Sequence, residues 1–149
     1  MSDYWLKFVP SDPLFMPTVP AAQQAKALLT SFVPHAQAVH IQFLKPAQFI
    51  HPGEIWSGVK CPTCGSDAQQ WWKVAMSTAY KNAFADLKVT APCCGKRVSL
   101  HDMDYITAAG IARFVLQAMN PDVDNLTPAQ ERELAACLGC ALRKIWVSG

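Results

Sequence analysis

The N-terminal part of the chain places its apolar residues in the order strand, helix, strand. Residues 4–9 alternate, with Leu6 and Phe8 on one side, as in a half-buried strand. After a proline-rich connection, residues 20–32 carry apolar side chains at spacings of three and four, which predicts a helix. Residues 39–43 alternate again, so we predict a second strand there.

The middle of the chain predicts a short strand followed by a helix. Residues 55–60 form the strand, and Ser66 with Gln69 makes a capping box directly after it. The capping box starts a helix over residues 67–84, whose aromatic and apolar side chains share one face. Aromatic residues at this spacing are typical of core packing.

A further helix is predicted after residue 104. Asp102 or Asp104 can cap this helix, and the apolar residues between 108 and 119 fall on one face. Asn120-Pro121 ends the pattern, because proline cannot continue a helix.

The last predicted elements are a helix and a strand. Thr127 and Gln130 form a capping box with Pro128 at the first helical position, and Gly139 is the expected terminator. Residues 142–147 then predict the final strand.

Together these elements predict an α+β fold. The flanks, residues 4–44 and 105–147, resemble a split βαβ (ferredoxin-like) sandwich in which the first and last strands could be neighbours. Residues 55–100 are then an insertion in the sandwich or an extension of its sheet. At this length we interpret residues 1–149 as a single domain that contains the insertion.

The candidate metal ligands of the chain are concentrated in two five-residue stretches that share one sequence pattern. They are Cys61-Pro62-Thr63-Cys64-Gly65 and Ala91-Pro92-Cys93-Cys94-Gly95. Two thiolates at the Cys-x-x-Cys spacing can reach one tetrahedral ion from a tight turn, and the following glycine allows a positive φ. In the second stretch Cys94 matches Cys64, but Ala91 stands where the first cysteine is expected and Cys93 takes a free position.

The two stretches predict a zinc site; the alternative is that the metal has been lost and the cysteines are buried thiols. The predicted ligands are Cys61, Cys64, Cys93 and Cys94. Consecutive side chains diverge on an extended segment, so His101 and His51 remain alternatives to Cys93 as the fourth ligand. We rank Cys93 first, because its thiolate is already in place and a turn breaks the alternation. The expected zinc is structural, since the sequence places no general base beside it.

These residues resemble the knuckles of zinc ribbons, over under a third of the chain. Zinc ribbons serve nucleic-acid binding, protein contacts and plain stabilisation, so the resemblance does not select a function. In size and in its lack of a catalytic motif, the chain is also similar to small bacterial proteins such as the immunity proteins that neutralise a toxin.

Composition narrows the classes of function. Hydrophobic residues make up 51% of the chain and charged residues 16%, which is enough apolar material for a core. A net charge of +2 lacks the basic excess of dedicated nucleic-acid binders. No signal peptide or apolar stretch of membrane-spanning length is visible, and six cysteines without a secretory signal favour a reducing compartment. We therefore expect a cytoplasmic protein without a membrane partner.

Two smaller motifs carry weaker predictions. Cys137 and Cys140 form a third Cys-x-x-Cys, but at the end of a predicted helix, where the dipole disfavours a thiolate. We therefore interpret Cys137 as core packing. The cluster of His101, Asp102 and Asp104 could be a hydrolytic or metal site, although helix capping by the aspartates explains it more simply.

The preferred function is a non-enzymatic protein-binding module, whose most specific form is a toxin inhibitor or immunity protein. Leu14, Phe15, Met16 and Trp71 are its predicted contact residues, because aromatic side chains and methionine favour interface cores. The three loop residues could alternatively pack as a lid on the core.

Two alternatives remain open. A nucleic-acid-binding ribbon would use Lys88, Lys96 and Arg97 beside Trp71 and Trp72, and its affinity would fall steeply with salt. A small metal-dependent enzyme would instead use the histidine and the two aspartates of the cluster after residue 100.

Overall fold

A computed structural model describes residues 3–149, in which three α-helices and eight strands form an α+β fold, as predicted. The helices are α1 (Val19–Phe32), α2 (Gln69–Lys81) and α3 (Pro128–Leu138). The strands are β1 (Tyr4–Pro10), β2 (Ala38–Ile50), β3 (Val59–Lys60), β4 (Lys88–Thr90), β5 (Arg97–Ser99), β6 (Asp104–Tyr105), β7 (Gly110–Met119) and β8 (Leu142–Ser148). Each helix in this part of the chain is too short or too polar to span a bilayer.

Four of the strands form one antiparallel sheet, in the order β2-β7-β1-β8. The first and last strands are neighbours, as predicted, with Tyr4 opposite Ser148 and Pro10 opposite Leu142. Helices α1 and α3 pack together over the helix-side core of this sheet, where Leu6, Phe114 and Leu134 are fully buried. We call residues 3–50 and 110–149 the sheet unit.

Residues 51–109, here called the knuckle segment, connect β2 to β7. They contain α2 and two small two-stranded sheets, β3 with β6 and β4 with β5. Val59, Trp72 and Leu100 lie in a second hydrophobic core, to which the sheet unit contributes Ala47 and Ile111. The knuckle segment therefore has its own core and remains packed against the sheet.

The helix predicted between residues 105 and 119 is wrong, because residues 110–119 form β7, an inner strand of the sheet. Strand β7 lies between β1 and β2, so nearly all of its residues are buried whichever face they occupy. A strand buried on both faces loses the alternation of polar and apolar positions. The β-branched and aromatic residues Ile111, Phe114 and Val115 fit a strand better than a helix.

The aspartates predicted to cap that helix have other roles. Asp102 lies in a single 3₁₀ turn and forms an ion pair with Arg143, with Oδ1 and Nη2 2.8 Å apart. Asp104 is exposed in the short strand β6. The predicted capping role is therefore wrong for both residues.

Two further boundaries differ from the prediction. Strand β2 continues past residue 43 to Ile50, because an irregularity between Phe43 and Gln48 accommodates Pro46, whose nitrogen cannot donate a ladder hydrogen bond. The strand predicted over residues 55–60 is reduced to β3.

The capping box predicted at the start of α2 is absent. The helix begins at Gln69, and its N-cap, Ala68, provides no side-chain hydrogen bond. The helix also ends at Lys81, earlier than predicted, because Ala83 and Phe84 adopt positive φ.

The capping box of α3 is confirmed. The Thr127 hydroxyl accepts a hydrogen bond from the Gln130 backbone N–H, and the Gln130 side chain accepts one from the Thr127 N–H. Gly139 ends the helix with a left-handed φ of 79°.

Candidate metal centre

The first knuckle is a tight turn closed by backbone hydrogen bonds. The N–H of Gly65 donates to the carbonyl of Cys61 at 2.9 Å, and the N–H of Cys61 donates to the carbonyl of Ser66 at 2.8 Å. Gly65 has a φ of 76°, which glycine adopts without strain. The turn directs two cysteines of the motif toward one point, as the sequence spacing predicts.

The second knuckle repeats this turn, with alanine in the first position. The N–H of Gly95 donates to the carbonyl of Ala91, and the N–H of Ala91 donates to the carbonyl of Lys96, both at 2.8 Å. Gly95 has a φ of 73°. Ala91 is fully buried, so it takes the backbone place of Cys61 but offers only a methyl group.

The four predicted cysteine ligands converge. One Sγ atom from each of Cys61, Cys64, Cys93 and Cys94 lies within 4.8 Å of all the others. The Sγ atoms of Cys61 and Cys94 are 3.8 Å apart, and those of Cys64 and Cys93 are 3.4 Å apart. This donor set could hold a metal ion such as zinc.

The turn explains how two consecutive cysteines reach the same cluster. Adjacent side chains diverge on a strand, but Cys93 and Cys94 lie between β4 and β5, in the turn itself. Ala91, at the first position of the second knuckle, has no thiol. Cys93, at the third position, therefore provides the fourth thiol of the cluster.

The surroundings of the thiols lower the pKa of Cys64 and raise the pKa of Cys93. The pKa of Cys64 is lowered to about 6, first by a hydrogen bond from the Ser66 hydroxyl, whose oxygen lies 3.2 Å from Sγ, and then by the Ser66 backbone. The pKa of Cys93 is raised to about 12, chiefly by its hydrogen bond to Cys64. A metal ion at the centre would oppose this raised pKa, because its positive charge stabilises all the thiolates around it.

The two histidines considered as alternative fourth ligands are engaged elsewhere. His51 Nδ1 accepts a hydrogen bond from Gly53 N–H at 2.9 Å, and its ring stacks on Trp56. His101 is fully buried; its Nε2 lies 2.8 Å from the Ser11 carbonyl, and its Nδ1 accepts from Ile111 N–H at 2.9 Å. Neither belongs to the cysteine cluster.

His101 instead links the knuckle segment to the sheet unit. A carbonyl can only accept, so Nε2 carries the proton, and the ring is neutral. Burial lowers the pKa of His101, and the positive charge of Arg143 lowers it further. The Arg143 guanidinium donates to the carbonyls of His101 and Ala109, at 2.6 and 3.0 Å.

An aromatic cluster, which the sequence did not reveal, lies in the core of the knuckle segment. Trp72 stacks on Trp56 with ring centroids 5.2 Å apart, and Phe49 lies edge-on to Trp72. The Trp72 indole N–H donates to the Tyr105 hydroxyl at 3.1 Å, and that hydroxyl donates to the Leu100 carbonyl. These side chains come from separate parts of the chain, so no periodic pattern connects them.

The residues predicted to contact a partner differ in exposure. Leu14 is 51% exposed and Met16 is 42% exposed, whereas Phe15 is half-buried. Trp71 is also half-buried and packs on the knuckle core, and its buried indole nitrogen has no hydrogen-bond partner among residues 3–149. The lid interpretation is therefore wrong for Leu14 and Met16.

The residues of the nucleic-acid alternative are only partly available. Lys88, Lys96 and Arg97 are exposed on or beside the β4–β5 hairpin. Trp72 is buried in the aromatic cluster, so it cannot stack on a base.

The remaining candidate residues do not form a second site. His101 and Asp102 are occupied by the contacts described above, and Asp104 is exposed on β6. Cys137 lies in the last turn of α3 and packs on the helix-side core, as expected. Burial raises the pKa of Cys140, the second cysteine of that motif.

A scan against family models and searches among curated proteins and solved structures find no match for this chain.

Proposed function

We propose that Cys61, Cys64, Cys93 and Cys94 bind one zinc ion. Four sulfurs at a Zn–S distance of about 2.3 Å form a tetrahedron with edges of about 3.8 Å. The Cys61–Cys94 distance of 3.8 Å equals that edge, and the Cys64–Cys93 distance of 3.4 Å requires only a small outward shift. Thiolate-only sets also suit iron–sulfur centres, so the identity of the metal is part of the test.

The proposed zinc is structural. Four thiolates fill a tetrahedral shell, so no position remains for a water or a substrate. The residues of the enzyme alternative, His101 and Asp102, are engaged in the contacts that join the knuckle segment to the sheet unit.

The ligand set can be tested by moving one thiol between the two positions of the second knuckle. Cys93→Ala should lower the zinc content, and adding Ala91→Cys should restore it, because residue 91 has the backbone hydrogen bonds of Cys61. Elemental analysis of the purified protein measures zinc and iron together. A Cys93→Ala variant with unchanged zinc would remove Cys93 from the site, and iron in place of zinc would reject the metal assignment.

For the biological role, we propose a non-enzymatic protein-binding module, with a toxin inhibitor or immunity protein as its most specific form. The observation that carries this proposal is the loop before α1 together with the first residue of that helix. There Leu14, Met16 and Val19 are exposed by 51%, 42% and 60%, although they are apolar and close in sequence. A group of exposed apolar side chains favours a protein interface. The thiolate ligands also favour the reducing cytoplasm.

We further propose that the sheet unit is a ferredoxin-like sandwich. Its elements follow the order strand, helix, strand, strand, helix, strand once the knuckle segment is set aside. The strand order β2-β7-β1-β8 and the pairing of α1 with α3 support this assignment.

Affinity capture from the protein's own host, with nuclease treatment, tests the binding role. We expect one stoichiometric protein that survives nuclease and is lost when Leu14 and Met16 are both changed to serine. Val74→Ser is the matched control, since Val74 is 68% exposed but lies on α2. A toxin among the captured proteins would support the inhibitor form, whereas loss of every partner with nuclease would contradict the proposal.

The nucleic-acid alternative has one observation in its favour. Residues 59–100 contain six basic residues and two acidic ones, so the net positive charge of the chain is concentrated in this segment. Binding to a mixed oligonucleotide pool should then weaken steeply with salt and should fail after Lys96→Glu with Arg97→Glu. Flat or absent binding would remove this alternative.

A further inference from the structure

A groove lies at the end of the sheet where β1 begins and β8 ends. It has a volume of about 490 Å³ and is lined by residues of both β strands, of the loop between β7 and α3, and of the knuckle segment. Ile55 is its residue from the knuckle segment, and the lining residues used below are Tyr4, Asn120, Asp122, Asp124 and Trp146. The groove is thus built by elements that are distant in sequence.

The lining combines aromatic rings with carboxylates. Tyr4 is 53% exposed and Trp146 is partly exposed, and both line the groove. Asp122 and Asp124 are exposed on its loop side, and no basic residue among residues 3–149 lines it. The nearby Lys144 is held outside the groove by Glu131 and Asn125, with Nζ 2.9 and 2.8 Å from their oxygens.

The loop that carries the carboxylates is fixed to the sheet. The side-chain oxygen of Asn120 accepts from Tyr4 N–H at 2.9 Å, and its amide group donates to Asp3 and Gln37. The backbone N–H of Asn120 also donates to the Tyr4 carbonyl at 2.7 Å. The groove is therefore largely formed before any ligand binds, which reduces the entropy cost of binding.

We propose that this groove binds a basic side chain, arginine or lysine, of a partner protein. The proposal rests on the protein-binding function proposed above and names the chemistry of one contact. A guanidinium or ammonium group is attracted by the faces of aromatic rings and forms charge-assisted hydrogen bonds with carboxylates. The described lining carries carboxylates and no basic group, so an acidic occupant is disfavoured electrostatically.

The test uses blocked tripeptides and the full-length protein. Acetyl-Gly-Arg-Gly-amide is titrated into ¹⁵N-labelled protein, and acetyl-Gly-Gln-Gly-amide serves as the uncharged comparison. We expect the arginine peptide to shift the signals of the Trp146 indole and of the Asp122 and Asp124 amides, and we expect the effect to weaken with salt. Shifts confined to other residues, equal shifts from the glutamine peptide, or no shifts at all would overturn the proposal.

Charge-neutralising variants sharpen the test. The double variant Asp122→Asn/Asp124→Asn should bind the arginine peptide about tenfold more weakly, since two charge-assisted contacts are lost. Asparagine tolerates the positive φ of 57° at position 122, so the fold should be retained. Glu133→Gln, an exposed carboxylate on α3 outside the lining, is the matched control and should bind normally. Unchanged affinity in the double variant would overturn the proposal.

The same variants separate this inference from the proposed function. If affinity capture yields a partner and the double variant retains it fully, the groove proposal fails and the protein-binding function stands. If the groove binds the arginine peptide but no partner protein is captured, the protein-binding function fails while the chemistry of the groove is supported.

Discussion

The sheet unit and the knuckle segment are held together in different ways. The four strands of the sheet are 7, 13, 10 and 7 residues long and are hydrogen-bonded to one another along much of their length. The strands of the knuckle segment have only two or three residues. Backbone ladders therefore fix the sheet unit, whereas side chains must fix the knuckle segment.

The two cores show the same contrast. Five of the fifteen buried residues in the core of the knuckle segment are alanines, which bury little apolar area. The larger contributions come from Trp72, Met76, Tyr105 and a few other side chains. A small core with short strands commonly needs a further stabilising element, and the cysteine cluster is placed to provide it.

The largest expected effect is the loss of metal through Cys61→Ser. Structural zinc sites contribute roughly 10–16 kcal/mol of apparent binding free energy, which here would stabilise mainly the knuckle segment. We expect the variant to lose its zinc and to be cleaved by protease between residues 59 and 100, while the sheet unit stays protected. Elemental analysis and mass spectrometry of the fragments measure both effects.

Cys137→Ser is the control for this prediction, because Cys137 packs on the helix-side core, away from the cluster. It should retain full zinc content. Uniform protease resistance of a zinc-free Cys61→Ser protein would show that the knuckle segment does not depend on the metal.

The second prediction concerns the aromatic cluster. Trp72→Ala removes a buried ring together with its hydrogen bond to Tyr105, and large aromatic truncations in cores cost about 3–5 kcal/mol. Trp71→Ala, at a half-buried neighbour, should cost less. Denaturant unfolding of the metal-loaded proteins measures the two free energies. Equal losses in the free energy of unfolding would mean that the greater burial of Trp72 does not make it contribute more to stability than Trp71.

Local patterns predicted much of the sheet unit. The alternation of Leu6 and Phe8 identified β1, and the capping box at Thr127 identified α3, because both signals depend on neighbours in sequence. The prediction is wrong at β7, where burial on both faces removes the alternation and leaves apolar spacings that also fit a helix. Only the position of this strand between β1 and β2 decides its conformation.

The metal centre shows the same limit. The two knuckles could be predicted, because a Cys-x-x-Cys turn is local, whereas the choice among Cys93, His101 and His51 depends on where each side chain lies in three dimensions. Both histidines are used by hydrogen bonds or stacking contacts that no sequence spacing encodes.

The third prediction tests the junction between the two regions through pH. His101 is neutral in the folded protein, with a lowered pKa, so the unfolded chain binds more protons as the pH falls below about 6.5. Stability should therefore decrease on acidification from pH 7.5 to 5.5. His101→Gln should be less stable at pH 7.5 but should show a smaller decrease.

Comparing the wild-type protein with the His101→Gln variant isolates the contribution of His101 to this pH dependence. Other groups with a lowered pKa, such as His51 and Cys64, affect the wild-type protein and the His101→Gln variant alike. Parallel pH profiles from denaturant unfolding would show that His101 does not contribute through its protonation.

The smallest expected effect compares two sites that look equivalent in the sequence. Thr127→Ala removes an N-cap hydrogen bond from α3, which typically costs about 1 kcal/mol. Ser66→Ala changes the other predicted capping box, where α2 has no side-chain cap and the hydroxyl lies instead 3.2 Å from Cys64 Sγ. We therefore expect Thr127→Ala to lower the free energy of unfolding at saturating zinc. Ser66→Ala should leave that free energy nearly unchanged and weaken zinc binding in competition with a chelator. If Ser66→Ala instead lowers the free energy of unfolding and leaves zinc binding unchanged, Ser66 caps α2 in solution. Helices α2 and α3 would then both be stabilised by a side-chain N-cap, and the two regions would not differ in this respect.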